Sequence, residues 1–425
     1  MIRTSIHYCM LATLFALLVA CRPAAREELQ SVSLVVTNGV VVDGTGADPI
    51  TDGLVAIHGN RIVAVGQSID FKIPDEATVI DAVGGTILPG VINSHTHGVR
   101  SAETRRGLFL LDGVTSICDL GVPLFLMQPF EQEESQSGQA ARGFKAGPIV
   151  TASGGYPGPV WGYILSYEIQ GGDEAEIAVR DLHARGADYI KVALEPGQAD
   201  ENWPVMDLQE LRSIVATAHA YDLLVRAHVT NSAMLNIALD AGVDVIEHVP
   251  MPSYSNEDLE SMFDDAGVFR MPSELEAQLL RMIDQGVVLV PTLDVITYRR
   301  GDIEPETEVF IQAILGVVRF FYDSGGIIAV GNDYGNPGVH LGMPLHEMEL
   351  LQNAGLSPLE VIEAATRHAA YVCGQSDELG TLERGKLADL IVVDGNPLDD
   401  LHAMDSVLYV VKDGKLVLSP QQDSK

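Results

Sequence analysis

Between residues 86 and 373 the chain repeats one rhythm: a short apolar run, a segment of helical periodicity, another apolar run. No other feature of the sequence constrains the fold as much. Parallel strands need a long crossover, usually a helix, and that crossover is right-handed and packs back onto the sheet. Eight runs read as strands: Ile87–Ile92, Val114–Cys118, Ile149–Ala152, Tyr189–Val192, Leu223–Ala227, Val243–Ile246, Val287–Val290 and Ile327–Val330. Helical patterns over Glu174–Arg185, Leu208–Ala220 and Ala233–Ala241 lie between them, and two more, Leu345–Ala354 and Pro358–Cys373, follow. Eight such units in roughly 250 residues predict an α/β fold, a (β/α)8 TIM-type barrel over residues 86–375. An open, doubly wound sheet is the competing arrangement.

The flanks are β-rich. Leu34-Val-Val and Val40-Val-Val flank Asn38-Gly39, while Leu54–Ile57 and Ile62–Val65 flank Gly59-Asn60. Asn and Gly tolerate positive φ, so both pairs predict tight hairpins. Near the other end, Asp389–Asp394 and Val407–Val411 read as strands, and Asp413-Gly414 turns the chain into Leu416–Leu418. Neither flank can bury a core alone. Residues 31–85 and 376–425 are therefore expected to join as a small β-sandwich domain beside the barrel.

Arg3 is the only charged residue before Cys21, and Leu11–Ala20 is apolar. That run is too short to span a bilayer and fits the core of a secretory signal. Leu18-Val-Ala-Cys21 resembles the bacterial lipobox, in which Cys21 would carry lipid. Residues 1–20 are thus expected to be a signal peptide and 21–30 a tether. The protein is expected to be an exported lipoprotein, periplasmic or outer-membrane-associated, that meets the membrane only through its N-terminal anchor. A net charge of −33 argues against nucleic acid or an anionic membrane surface as partner. Cys118 and Cys373 lie far apart without a CxxC motif and predict two buried thiols, not a disulfide.

Chemistry gathers at the strand ends. His95 and His97 are two residues apart, and side chains at i and i+2 of a strand point the same way. A lone His-x-His is a weak signal, but Lys191, His228, His248 and Asp333 each sit at or just past the end of a later apolar run. Barrels of this kind build their active sites at those C-terminal strand ends. Four imidazoles and a carboxylate suit Zn²⁺ and similar borderline metals.

Leu88-Pro-Gly-Val-Ile-Asn-Ser-His-Thr-His97, Gly385-Lys-Leu-Ala-Asp-Leu-Ile-Val-Val-Asp394 and the pair Ala365-Thr366 with Ala369-Ala370 resemble, in this order, the amidohydrolase superfamily of metal-dependent hydrolases. The resemblance covers nearly everything after the tether. Its nearest look is to imidazolonepropionase-like exported hydrolases, including dipeptidases. It implies two divalent metal ions, zinc being the expected element, bridged by a carboxylated Lys191. His95, His97, Lys191 and Asp333 would hold one ion, and Lys191, His228 and His248 the other. A metal-activated hydroxide would cleave a C–N bond in an amide, small peptide or cyclic amide, with Asp333 as catalytic proton shuttle. A lactonase or ester hydrolase on the same binuclear centre, or a non-catalytic scaffold, are the alternatives. His228-Val-Thr-Asn231 has Asn where deaminases and imidazolonepropionases carry Glu, which favours binuclear hydrolysis. Thr230 and Asn231 stand where the dipeptidases often carry Tyr, a departure that bears on specificity.

The expected partner is a small-molecule or short-peptide substrate. Trp161 and Tyr163 sit in the Gly/Pro-rich stretch Ser153–Tyr163, suited to a pocket wall. Arg100 and Arg299 are candidates for a substrate carboxylate, and His340, just past the eighth run, for a contact at the mouth.

Overall fold

The computed structural model describes residues 27–29, 31–98, 106–128, 139–197, 201–252, 256–298 and 305–420. The expected signal peptide, Cys21, Arg100 and Arg299 lie outside the described residues.

The two ends of the chain do combine. β1 (Glu27–Glu28) pairs with β5 (Phe71–Lys72) in a two-stranded parallel sheet, so part of the expected tether is a paired strand. β2 (Leu34–Val41), β3 (Ile50–His58), β4 (Arg61–Gln67), β6 (Thr78–Asp81) and β7 (Thr86–Pro89) join β17 (Leu390–Val393), β18 (Val407–Lys412) and β19 (Lys415–Leu418) in one eight-stranded sheet. Its path runs β19-β18-β17-β7-β2-β3-β4, with β6 added beside β2. Leu34, Val36 and Ile57 pack on one side, and Val35, Leu54 and Ala56 on the other, as the two-residue repeat of a strand demands.

The three turn expectations divide. Gly59-Asn60 joins β3 to β4, and Asp413-Gly414 joins β18 to β19 with both residues at positive φ. Asn38-Gly39 is not a hairpin. Asn38 does take a φ of 62°, but the strand continues through it and its register on β3 slips between Thr37 and Gly39. The pair makes a bulge, and the chain runs on to meet β7 at Val40.

The middle of the chain forms two parallel sheets. β8 (Val91–Thr96), β9 (Val114–Asp119) and β10 (Arg142–Lys145) make the first. β11 (Ile149–Ala152), β12 (Ser166–Ile169), β13 (Ile190–Ala193), β14 (Val225–His228), β15 (Val245–Glu247) and β16 (Val288–Val290) make the second, in the order β12-β11-β13-β14-β15-β16. Every residue of β8, β9, β13, β14, β15 and β16 is buried, because helices cover what the strands leave. The strand expected over Ile87–Ile92 is two strands in different sheets, parted at Gly90: β7 pairs with β17, and β8 with β9. The eighth expected strand is a single parallel bridge, Ile328 to Leu289, but Ser94 N–H donates to the Val330 carbonyl from the β8 side.

Local chemistry explains the helix starts. Asp207 caps Leu208–His219 and Ser357 caps Pro358–Glu363, each in a reciprocal box with Glu210 or Glu360. The latter helix runs on to Val372. There Cys373 is joined to Cys118 of β9 by a disulfide, contrary to the two free thiols expected. Cys118 and Cys373 are both fully buried, in one cluster with Ile92, Phe144, Tyr189 and Val288.

Candidate metal centre

His95 lies in β8, Lys191 in β13 and His228 at the end of β14, while His97 and His248 lie just beyond strand ends and Asp333 follows the bridge at Ile328. All six border one cavity of about 700 Å³. The imidazoles crowd together: ring centroids are 5.2 Å apart for His95 and His97, 5.2 Å for His95 and His248, and 4.3 Å for His228 and His248. Asp333 Oδ1 is 3.4 Å from His95 Nε2 and 3.2 Å from His97 Nε2. His95, His248 and Asp333 each turn a ligand atom to a common point, all within 4.8 Å of one another.

The backbone is bent to achieve this. His248 and Asp333 have φ of 70° and 58°, and Thr292 beside them has 50°. Left-handed conformations cost non-glycine residues about 1–3 kcal/mol each and gather where a site needs them. Gly331 permits the close approach of the Asp333 segment to β8, since a Cβ there would stand 2.6 Å from that of His95.

Each buried imidazole has one nitrogen already engaged. His95 Nδ1 meets Glu247 Oε2 at 2.7 Å, and His248 Nδ1 meets Thr292 Oγ1 at 2.7 Å. His228 Nε2 lies 3.4 Å from Glu195 Oε2, an oxygen that also accepts from the Thr230 hydroxyl. Nε2 of His95, Nε2 of His248 and Nδ1 of His228 are thereby left for a ligand, the arrangement outer partners impose on metal-binding histidines. Tyr156 stacks on His228 with centroids 4.6 Å apart, and Trp203 stacks on Tyr156.

Two of the buried polar atoms that have no hydrogen-bond partner among the described residues belong to the six: Lys191 Nζ and Asp333 Oδ1. A buried polar atom left unmatched costs about 1–3 kcal/mol, more if charged. Burial pushes the Lys191 ammonium down to about 8, although Glu247 pulls the other way. Burial likewise takes the His95 imidazole down to about 4, against the pull of Asp333 and Glu247. Burial would raise the Asp333 carboxyl, but His95 and His97 outweigh it and hold it down to about 2. Neutral imidazoles, an ionised carboxylate and a lysine readily made neutral are the forms in which these groups bind divalent ions or react. The donor set therefore fits a metal centre.

The expected substrate contacts fare unevenly. Trp161 borders the cavity, beside Tyr156, Leu165, Val295, Ile296 and Phe310. Tyr163 does not border it: it is 56% exposed, with its ring over Gly158. His340 lines a different cavity, with Asp294, His346 and His402. Sequence reasoning passed over Glu195, Arg226, Glu247, Thr292 and Tyr156. The signal was there for two of them, since a charge inside the buried runs Val225-Arg-Ala-His228 and Val245-Ile-Glu-His248 must find a partner.

Ochratoxinase from Aspergillus niger is 29% identical over 258 residues, which are 59% of this chain and 50% of that enzyme, so the match spans about half of its length. Imidazolonepropionase from Geobacillus sp. (strain WCH70) is 24% identical over 408 residues, 87% of this chain and 91% of the enzyme. The crystal structure of a putative prolidase from Bifidobacterium longum superposes with a TM-score of 0.73 at 28% identity, covering 92% of this chain and 96% of its own. Residues 86–417 match the amidohydrolase family, which the chain's strand-end histidines, Lys191 and Asp333 had pointed to, and the chain belongs to that family.

Proposed function

We propose that this chain is a metal-dependent hydrolase that cleaves the C–N bond of an amide, a small peptide or a cyclic amide. The observation that carries the reading is the pair of buried, unmatched atoms, Lys191 Nζ and Asp333 Oδ1, in a nest of imidazoles whose other nitrogens are already engaged. The names of the relatives point to amide-type substrates. In this reading β8, β9, β11, β13, β14, β15, β16 and residues 328–330 are the eight strands of one closed barrel, and the sheets at the chain ends are a β-sandwich.

His95, His97 and Asp333 would hold one divalent ion, His228 and His248 a second, and a carboxylated Lys191 would bridge the two. When bound, such ions, zinc by the donor set, polarise a carbonyl and make water a nucleophile near neutral pH. Lys191 suits the bridge because its amine is easily neutral, so that it can combine with CO2. Asp333 takes the proton of the attacking water at Oδ1 and delivers it to the leaving nitrogen, as base and then acid. Leu126, Trp161, Leu165, Val295 and Phe310 exclude water and favour an apolar group beside the scissile bond.

Export as a lipoprotein anchored at Cys21 belongs to the same proposal. The Cys118–Cys373 disulfide supports it, since disulfides persist in oxidising compartments. Metal analysis of purified protein, with a screen of N-capped and free dipeptides, lactams and lactones, tests the function. Two ions per chain and hydrolysis of an amide are expected. Full activity with one ion and an unmodified Lys191 would end the binuclear reading.

A further inference from the structure

Beneath the cavity lies a chain of charge that the reaction does not touch. Glu247 Oε2 meets His95 Nδ1 at 2.7 Å, and its Oε1 accepts from Arg226 Nε at 2.6 Å. Arg226 Nη2 donates to the Ser94 carbonyl at 2.7 Å, and Nη1 to the Val372 carbonyl at 3.1 Å. The guanidinium also lies 4.9 Å over the ring of Tyr189, whose hydroxyl donates to the carbonyls of Asp119 and Phe144. Arg226, Glu247 and Tyr189 are all fully buried.

We propose that Arg226 and Glu247 are a positioning pair that fixes which nitrogen of His95 faces the cavity and holds its ring and backbone in place. The inference rests on the metal-centre reading above. A carboxylate only accepts, and a guanidinium only donates. Paired with Arg226, Glu247 presents an acceptor to His95, so Nδ1 carries the hydrogen and the Nε2 lone pair faces Asp333. The hold has two points. Glu247 grips the His95 side chain, and Arg226 grips the carbonyl of Ser94, the residue before it. The same guanidinium ties that grip to the helix ending at Val372. An ion pair serving stability alone would gain little over well-packed apolar residues. This one spends each Glu247 oxygen on a separate partner, and one of the partners is a ligand candidate.

Glu247→Gln is the informative substitution, because the amide is nearly the same shape. It can offer its oxygen to His95 or to Arg226 but not to both, and its NH2 opposes a donor or selects the other tautomer. Zinc affinity, measured by competition with a fluorescent chelator, should fall about 10–100-fold in the folded variant. Arg226→Lys keeps the charge and loses the fork, and should fall between that variant and wild type. In metal-free wild-type protein, ¹⁵N imidazole resonances should show His95 with its hydrogen on Nδ1. Folded Glu247→Gln and Arg226→Lys proteins that bind zinc as wild type does, even with lowered Tm, would overturn the proposal and leave a structural ion pair. If Glu247→Gln does not fold, Arg226→Lys and the His95 tautomer decide, and hydrogen on Nε2 overturns it. Wild-type protein that takes up no metal would instead defeat the functional reading, while the tautomer measurement still judges the pair.

Discussion

In the sheet made by the two chain ends, the carboxylates of Asp389 and Asp413 are answered within reach. Asp389 accepts from Arg142 Nη2 and from the Asp413 amide, and Asp413 accepts in turn from Arg142 and Lys412. Around Lys191 the buried charge is arranged but not answered: Nζ of Lys191, Oδ1 of Asp333 and Oε1 of Glu347 have no hydrogen-bond partner among the described residues. Both regions bury a carboxylate to a similar depth, Asp389 at 5% and Asp333 at 6% exposure, so depth does not distinguish a site from a strut. Completion does. A network whose carboxylates are all met by cations and amides holds the fold, whereas one that leaves a lysine and carboxylate oxygens open is built for something that arrives later.

The contrast between the two regions is tested most severely at Asp333. Asp333→Asn should retain most of its metal and lose 10²–10⁴-fold in turnover, about 3–5 kcal/mol of barrier. Steady-state kinetics beside metal analysis check this, and a variant with normal turnover would remove Asp333 from the proton path. Glu347 comes next. Burial raises its carboxyl to about 8, although Oε2 accepts from the Asp294 amide. Its folded pKa lies above the unfolded value, so its contribution to stability is full below about pH 4.5 and is lost as pH rises toward 8. The loss is on the order of 4–5 kcal/mol. Glu347→Gln should therefore stabilise metal-free protein at pH 9 and change little at pH 4, as read by denaturant titration at each pH.

On the completed side, Asp389→Asn should cost about 3 kcal/mol, the lower end for a broken buried pair because Asp413 still neutralises Arg142. Metal content should stay unchanged. A metal loss there would show that the two regions are coupled after all. The smallest effect belongs to the cavity wall. Trp161 is 44% exposed, so Trp161→Ala should raise KM by tenfold or less, about 1 kcal/mol of apolar contact, with metal content intact.

What was legible in the sequence followed from period and position. Most ligand candidates end apolar runs, and a strand repeats every two residues, so position marks His95, His97, His228, His248 and Asp333; Lys191 lies second in β13, and its role came from the family resemblance. Arg226 and Glu247 hid inside such runs, where only the absence of a solvated face made a partner obligatory. Asn38-Gly39 has the composition of a hairpin, but a bulge asks for the same backbone, and tertiary pairing of Val40 and Val41 with β7 decided between them. Trp161 and Tyr163 are two residues apart in one loop, yet only one borders the cavity, and nothing in composition orders the aromatics of a Gly/Pro-rich stretch. The pairing of Cys118 with Cys373 crosses most of the chain, a distance over which spacing carries no information.

That bond makes a ring of much of the molecule. Its cysteines are 255 residues apart, and Lys191, His228, His248 and Asp333 all lie inside the loop it closes, while His95 and His97 lie outside. A protease that cuts once anywhere within the loop leaves two pieces that stay joined, so a nicked chain keeps its mass until it is reduced. Unfolding is bounded in the same way: the oxidised chain can lose its sheets, but four of its six ligand candidates remain threaded on one covalent circle.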